Sequence, residues 1–423
     1  MRKTLDVWPP LPIMVDYRHF PSARSQSDYR DLIVALEHRD RIYWLTLCGV
    51  TDSLLGAMAS VLQEPFPALT YLRLESFSGM ALTIPDGFMG GQASSLQRIW
   101  LEGIQFTALP QLLSSASGLV ELRLDKISGT RYLSPETMAT CLSGLINLMY
   151  LSVEFQSPHP RSPDHARHGP PPLKRAILPA LAVFFFKGVS EYLEDLVARI
   201  DAPRLKYTSI RFFNQLIFEI SEVAKFIART ERLKSLSRAE VFFDGQAAGI
   251  GLYLPESTVS RNVTLRILSC QSDWQLSSLA QVCNQSLPLL SGVEQLDIRE
   301  CPSRGPDWQD RMQWVDLFLP FTAVASLHIP KEFGQRMALV LQELTEPRAT
   351  GVLPALKSLI FEELPSGCLQ GAIEQFLAAR ERSGHPVNVR RWDSKWERDV
   401  QWEWGLALEW ERDLEVHNTI LCR

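Results

Sequence analysis

Apolar residues recur along this chain in one pattern, a hydrophobic position followed by two more at +3 and +5. It appears at Ile42/Leu45/Leu47, Leu69/Leu72/Leu74, Leu96/Ile99/Leu101, Leu119/Leu122/Leu124 and Leu148/Leu151/Val153. It continues at Leu181/Phe184/Phe186 and Leu205/Thr208/Ile210, weakens at Leu233 and at Asn262/Leu265/Ile267, and returns cleanly at Val293/Leu296/Ile298, Val324/Leu327/Ile329 and Leu356/Leu359/Phe361. Successive starts lie 23 to 33 residues apart, about 28.5 on average. That is the period of a leucine-rich repeat whose outer segment is helical.

The spacing follows from strand geometry. In an extended segment alternate residues share a face, so positions 4 and 6 of each copy point inward while 3, 5 and 7 point out. One short strand cannot hide its apolar face alone, and stacking strands in parallel makes a continuous core. Between strands the periodicity turns helical: Ser134–Leu145, Glu191–Ile200, Ser221–Leu233, Glu332–Leu344 and Gly371–Arg380. Ser134 before Pro135, with Glu136 in the first turn, is a strong helix start. Pro-containing entries such as FPALTYL and LPALKSL stop each helix and set the next extended segment. The predicted class is α/β, a leucine-rich-repeat solenoid with a curved parallel sheet on the concave side and helices on the convex side. The expected organisation is an N-terminal cap over 1–40, the solenoid over 41–390 and a C-terminal segment over 391–423.

Three features depart from a regular array. Position 9, usually Asn or Cys, is Val50, Phe77, Ile104, Ile127, Val189 and Leu364, so the turn backbone has to be satisfied some other way. Residues 157–172 (SPHPRSPDHARHGPPP) have no apolar anchor and read as an inserted Pro-rich loop. After Val389, Trp392, Trp396, Val400, Trp404 and Leu408 form one helical stripe, with Trp402, Leu406, Trp410 and Leu414 beside it. A capping helix is expected there, since a solenoid end otherwise exposes its core. A partner-docking helix or a poorly ordered tail are the other readings.

Composition narrows the function. A net charge of −5 presents no basic field for nucleic acid, and the longest apolar stretch, around 176–186, is interrupted by Pro179 and too short for a membrane span. Seven cysteines without a CxxC pair point to reduced thiols and a cytoplasmic or nuclear location. Chemistry is sparse. There is no P-loop, GxSxG or HExxH, and the cluster His159, His165 and His168 falls in the Pro-rich loop, where nothing would orient the rings on a metal. No cofactor, metal or catalytic residue is expected.

The concave positions are more informative. Position 3 gives Trp44, Tyr71, Arg98, Glu121 and Tyr150; position 5 gives Thr46, Arg73, Trp100, Arg123 and Ser152; position 7 gives Cys48, Glu75, Glu102, Asp125 and Glu154. Aromatics and arginines, the types enriched at interface hot spots, would thus line up beside an acidic column. Like charges stacked on neighbouring strands cost stability unless arginines or a partner compensate them. The candidate partner-binding residues are Trp44, Tyr71, Arg73, Glu75, Arg98, Trp100, Glu102, Arg123, Asp125, Tyr150 and Glu154. A polar surface whose charges simply neutralise each other is the alternative.

Several stretches, Glu64–Leu74, Pro179–Leu196, Ala198–Leu205, Gln215–Thr230 and Asp273–Leu287, resemble the leucine-rich-repeat portions of F-box-like proteins expanded in mushroom-forming fungi. The likeness covers roughly residues 1–390 and implies a repeat domain that selects substrates for a cullin-type ubiquitin ligase. No Leu-Pro-x-Glu opening of an F-box precedes the first repeat, so an adaptor partner is expected only with an F-box upstream. The reading reached is a non-catalytic module that binds a protein on its concave face. A working ligase substrate receptor is the alternative within that class, and a hydrolase using the concave carboxylates is the alternative outside it.

Overall fold

The computed structural model of the 423-residue chain describes residues 11–18, 27–76, 82–84, 87–128, 133–158, 174–244, 246–257, 260–268, 272–300, 311–344, 351–364 and 368–392. They belong to two compact units, Met1–Gln215 with Glu219–Arg232, and Leu216–Phe218 with Leu233–Arg423.

The strands of the first unit are β1 (Ile13–Arg18), β2 (Ile42–Cys48), β3 (Tyr71–Glu75), β4 (Leu82–Ile84), β5 (Arg98–Glu102), β6 (Ile104–Phe106), β7 (Glu121–Ile127), β8 (Tyr150–Phe155), β9 (Ala176–Ile177), β10 (Val183–Gly188), β11 (Ile200–Asp201) and β12 (Tyr207–Phe213). Eight of them stack in the order β1-β2-β3-β5-β7-β8-β10-β12, all parallel. The pairs β4/β6 and β9/β11 form two small parallel ribbons beside the stack. The register is the one the repeat predicts. Leu45, Leu72, Ile99, Leu122, Leu151 and Phe184 align across neighbouring strands, and none is more than 1% exposed. Each such side chain contributes about 1.5–3 kcal/mol by leaving water. The 1–40 segment, expected as a cap, adds strand β1 to the stack, followed by helix Ser27–Leu36.

The apolar position 9 is explained by the backbone. After β2, β3, β5 and β8 the chain continues its ladder by one more bond: Val50 N–H to Glu75 C=O at 2.9 Å, Ser76 to Glu102 at 2.9 Å, Gly103 to Asp125 at 2.9 Å and Gln156 to Ile127 at 3.0 Å. Turn groups that an Asn side chain would serve are satisfied by the neighbouring turn, and Val50 is left free to bury itself.

On the core side run helices Asp52–Leu62, Leu109–Ser115, Pro135–Leu142, Ser190–Arg199 and Ser221–Ala228. Ser134 caps the third as expected, accepting from Thr137 N–H at 3.2 Å. A 3₁₀ turn, Phe88–Gly91, packs against both Asp52–Leu62 and Leu109–Ser115. Neighbouring helices are also tied by capping from outside. Glu194 of one helix accepts from Glu222 and Val223 N–H at 2.9 and 2.8 Å, closing the N-terminus of the next.

The second unit holds β13 (Arg238–Asp244), β14 (Ala247–Tyr253), β15 (Val263–Leu268), β16 (Gln295–Glu300), β17 (Ser326–Ile329), β18 (Ser358–Phe361) and β19 (Asn388–Arg391), in the order β15-β14-β13-β16-β17-β18-β19. Strands β13 to β15 correct the expectation of parallel stacking throughout, because β14 runs antiparallel to both neighbours. The weak copy at Leu233 is out of frame by three. Ala239 and Val241 align with Leu296 and Ile298, so the frame is Leu236/Ala239/Val241, and Leu233 sits in the 3₁₀ turn Glu231–Ser235. Strands β16 to β19 stack parallel to β13 and to one another, backed by helices Ser272–Gln285, Arg311–Phe318, Lys331–Glu343 and Cys368–Arg382. The Trp-rich segment beyond Trp392 and residues 159–172 of the Pro-rich loop, with its three histidines, lie outside the described residues.

Leu122, fully buried in the middle of the first stack, tests the frame. Leu122→Asp is expected to abolish cooperative thermal melting of the first unit, since an unpaired charge there costs several kcal/mol. An unchanged melting curve would contradict the frame.

Candidate interaction surface

Positions 3, 5 and 7 form the strand face opposite the buried leucines, the open face. In the first unit the register sets Trp44, Tyr71, Arg98, Glu121 and Tyr150 side by side, then Thr46, Arg73, Trp100, Arg123 and Ser152, then Cys48, Glu75, Glu102 and Asp125. All eleven candidate residues therefore lie on β2, β3, β5, β7 and β8. They are more closely packed than outward positions suggest, with Tyr71 at 6% and Glu75 at 9% exposure.

Parallel strands stand about 4.8 Å apart, close enough for flat groups to stack. The Trp44 and Tyr71 rings lie 3.6 Å apart and 8° from parallel. The Arg73 guanidinium sits 3.5 Å above the Trp100 ring. Arg123 lies between Trp100, at 5.0 Å, and Tyr150, at 4.5 Å, and Tyr150 meets Phe185 of β10 at 5.5 Å. Rings and guanidinium groups thus alternate from Arg73 through Trp100 and Arg123 to Tyr150, with the Trp44–Tyr71 ring pair beside them. The stack engages the ring faces, and the indole N–H groups are turned inward with them. Trp44 Nε1 is already bonded to Thr46 Oγ1 at 3.0 Å, whereas Trp100 Nε1 has no protein acceptor.

The acidic column is largely compensated from within. Arg73 bonds Glu75 at 3.0 Å, and Lys126 reaches Glu102 at 2.6 Å. Arg123 bonds Glu121 at 2.5 Å, with Arg98 at 3.8 Å from the same carboxylate. Lys126 reaches Glu102 from a left-handed residue (φ 53°) at a register break in β7, between Leu124 and Ile127. The break also moves Glu154 out of line with Asp125, and Glu154 pairs in register with Lys187 of β10. Asp125 is the exception. Burial, then Glu154 and Glu102, raise its carboxyl from 3.8 to about 6, while Arg123 and a 3.2 Å bond from Ser152 pull it back only in part. Next to Glu75, burial and a hydrogen bond to that carboxylate push the Cys48 thiol up to about 11.

The second unit carries an open-face cluster not anticipated from the sequence. Glu240 and Asp297, adjacent on β13 and β16, are 1% and 3% exposed. Arg261 and Arg299 reach Glu240 at 3.0 and 3.3 Å, and Tyr253 donates its hydroxyl to it. Burial would raise the Glu240 carboxyl, but the two guanidinium groups outweigh it and hold the acid below its ordinary value. Arg238 bonds Asp297 at 2.6 Å. His328 Nδ1 stands 3.2 Å from Asp297 without hydrogen-bond alignment; burial lowers the His328 pKa, and its ring meets Trp392 edge-on at 4.8 Å. The clean copy beginning at Val293 already placed Asp297 and Arg299 on this face. Glu240 and Arg238 were hidden by the three-residue frame error.

Among the described residues, no group of three or more His, Cys, Asp or Glu is placed to hold a metal ion, and no helix is long and apolar enough to cross a membrane. Leu47, Val50, Met58, Leu74 and Ile84 help line a small wholly apolar cavity behind the first sheet, which offers no polar group for chemistry.

No protein-family model matches the chain, and no curated protein matches it. Among solved structures, the leucine-rich repeat-containing protein LegL7 from Legionella pneumophila is similar at 13% identity and a TM-score of 0.30, covering 86% of this chain and 97% of that one. At that distance the fold rests on this chain's own register, which is that of a leucine-rich α/β solenoid.

Asp125 makes the face pH-sensitive. Its folded pKa lies above the unfolded one, so the folded state holds the proton more tightly and stability falls as pH rises from about 4 to 6. Above that window the ionised group costs on the order of 2–3 kcal/mol. Asp125→Asn is expected to raise the denaturant midpoint at pH 7.5 and to flatten this fall between pH 4 and 6. Parallel wild-type and variant curves would contradict the assignment.

Proposed function

We propose that the chain is a non-catalytic interaction module that binds a protein partner on the open face of its first unit. The observation that carries this is the packing of rings and guanidinium groups on one face, the Trp44–Tyr71 stack and the series Arg73–Trp100–Arg123–Tyr150–Phe185. Each member is held by its neighbours before any partner arrives, so little side-chain freedom remains to be lost on binding. Tryptophan, tyrosine and arginine are also the types that dominate interface energies when they sit centrally in a packed surface. Glu75 and Glu102, flanking the stack, are paired with Arg73 and Lys126, which suits them to fixing orientation more than to supplying affinity.

The likeness to F-box-like repeat proteins gives this reading its specific form, a substrate-recognition module acting in the cytoplasm or nucleus. Co-purification with a ligase adaptor is the test of that form.

The general reading is tested by affinity capture with the intact chain, followed by quantification of each retained protein against Trp44→Ala, Trp100→Ala and Gln63→Ala. Gln63 is exposed at the end of helix Asp52–Leu62, away from the open face. A genuine partner is expected to be retained by Gln63→Ala and to lose about tenfold or more with Trp100→Ala, the scale of a hot-spot truncation. A partner indifferent to both tryptophans, or lost with Gln63→Ala, would overturn the proposal. Both tryptophan variants are checked for cooperative melting first.

A further inference from the structure

The second unit's cluster goes beyond this reading, because it lies on a different unit and has a different chemistry. Its arginines converge. Arg261 and Arg299 share one oxygen of Glu240, Arg238 sits on the adjacent Asp297, and Arg261 and Arg266 both face the Phe242 ring, at 4.4 and 6.0 Å. Three guanidinium groups therefore gather around two carboxylates and a fourth, Arg266, lies over the adjoining Phe242 ring, in a chain whose net charge is −5.

The arrangement is built, not incidental. The carboxylates are almost wholly buried, while about a quarter of each of the Arg238, Arg261 and Arg299 side chains remains exposed. Buried acids that orient partly exposed arginines fix the guanidinium planes in advance. The antiparallel strand β14 makes room for this. A Cβ at Gly249 would meet the Phe242 ring at 2.5 Å, and one at Gly251 would meet Arg261 Cδ at 2.5 Å. Only bare backbone at those two positions lets the ring and the guanidinium lie across the strand.

We infer that Arg238, Arg261, Arg266 and Arg299 form a binding site for an acidic peptide, whose side-chain carboxylates meet the exposed edges of the guanidinium groups beside the Phe242 ring. Planar guanidinium pairs with carboxylate through two parallel hydrogen bonds. The local excess of positive charge is small and is carried by arginines set over two acids. That suits a few singly charged carboxylates better than a densely charged polyphosphate.

The test titrates the full chain with fluorescein-labelled octaglutamate, octalysine and an eight-nucleotide uridine RNA, reading anisotropy at about 50 and 200 mM salt. Octaglutamate is expected to bind in preference to both other probes and to weaken with salt. Arg299→Gln and Arg266→Gln are each expected to reduce its affinity about tenfold, and Trp100→Ala, on the first unit, to leave it unchanged. Should Arg299→Gln fail to fold, Arg266→Gln decides. Binding no tighter than octalysine, preference for RNA, wild-type affinity in Arg266→Gln, or loss in Trp100→Ala would each overturn the site. Because the readout is independent of the first unit's stack, failure here leaves the proposed function standing, and the reverse also holds.

Discussion

A strand of five to seven residues cannot shelter its own apolar side, and everything else in this protein follows from how that deficit is met. Parallel stacking in strict register puts Leu45, Leu72, Ile99, Leu122 and Leu151 in one buried line. Once that line is fixed, the intervening residues have no choice of face. They emerge opposite the core at one strand spacing from their neighbours, which is within stacking distance of an aromatic ring or a guanidinium plane. The Trp44–Tyr71 stack and the Arg73–Trp100–Arg123–Tyr150 series are consequences of leucine register on the other side of the sheet.

Two acids, one on the open face of each unit, are treated in opposite ways. Glu240 collects two arginines and a tyrosine hydroxyl, and its carboxyl is pulled below its ordinary value despite burial. Asp125 has one arginine and a serine hydroxyl against two neighbouring carboxylates, and is pushed up to about 6. Burial is the leading influence on both; the number of guanidinium groups within reach decides the sign. Electrostatics on these faces is therefore set locally, residue by residue, and the chain's net charge of −5 does not predict it.

How much was legible in the sequence depended on whether local spacing or long-range contact fixed the feature. The leucine hexads located β2, β3, β5, β7, β8, β10, β12 and β16 to β18, and Ser134–Pro135 located a helix start, because those signals are short-range. The eleven candidate residues were assigned to the right face for the same reason. The β13–β15 hairpin was missed. The Asp-Gly pair at 244–245 is a hairpin signal that belongs to no parallel period, and the strand beside it, with Ala239 and Val241 facing the core, is three residues out of step with the copy at Leu233. Stacking of arginines on rings, the reach of Lys126 back to Glu102 and the burial of Glu240 depend on neighbours one or more strands away. No spacing rule contains them.

Leucine register is the central claim, and a cysteine scan along Glu121–Asp125 tests it most directly. Single cysteines are placed in turn at each of the five positions, and their rates of thiol labelling are measured in the native chain. Alternation is predicted, with positions 121, 123 and 125 labelling much faster than 122 and 124, which sit at 0% and 5% exposure. Uniform labelling, or a three-to-four-residue periodicity, would contradict the strand, its face assignment and the surface built on it.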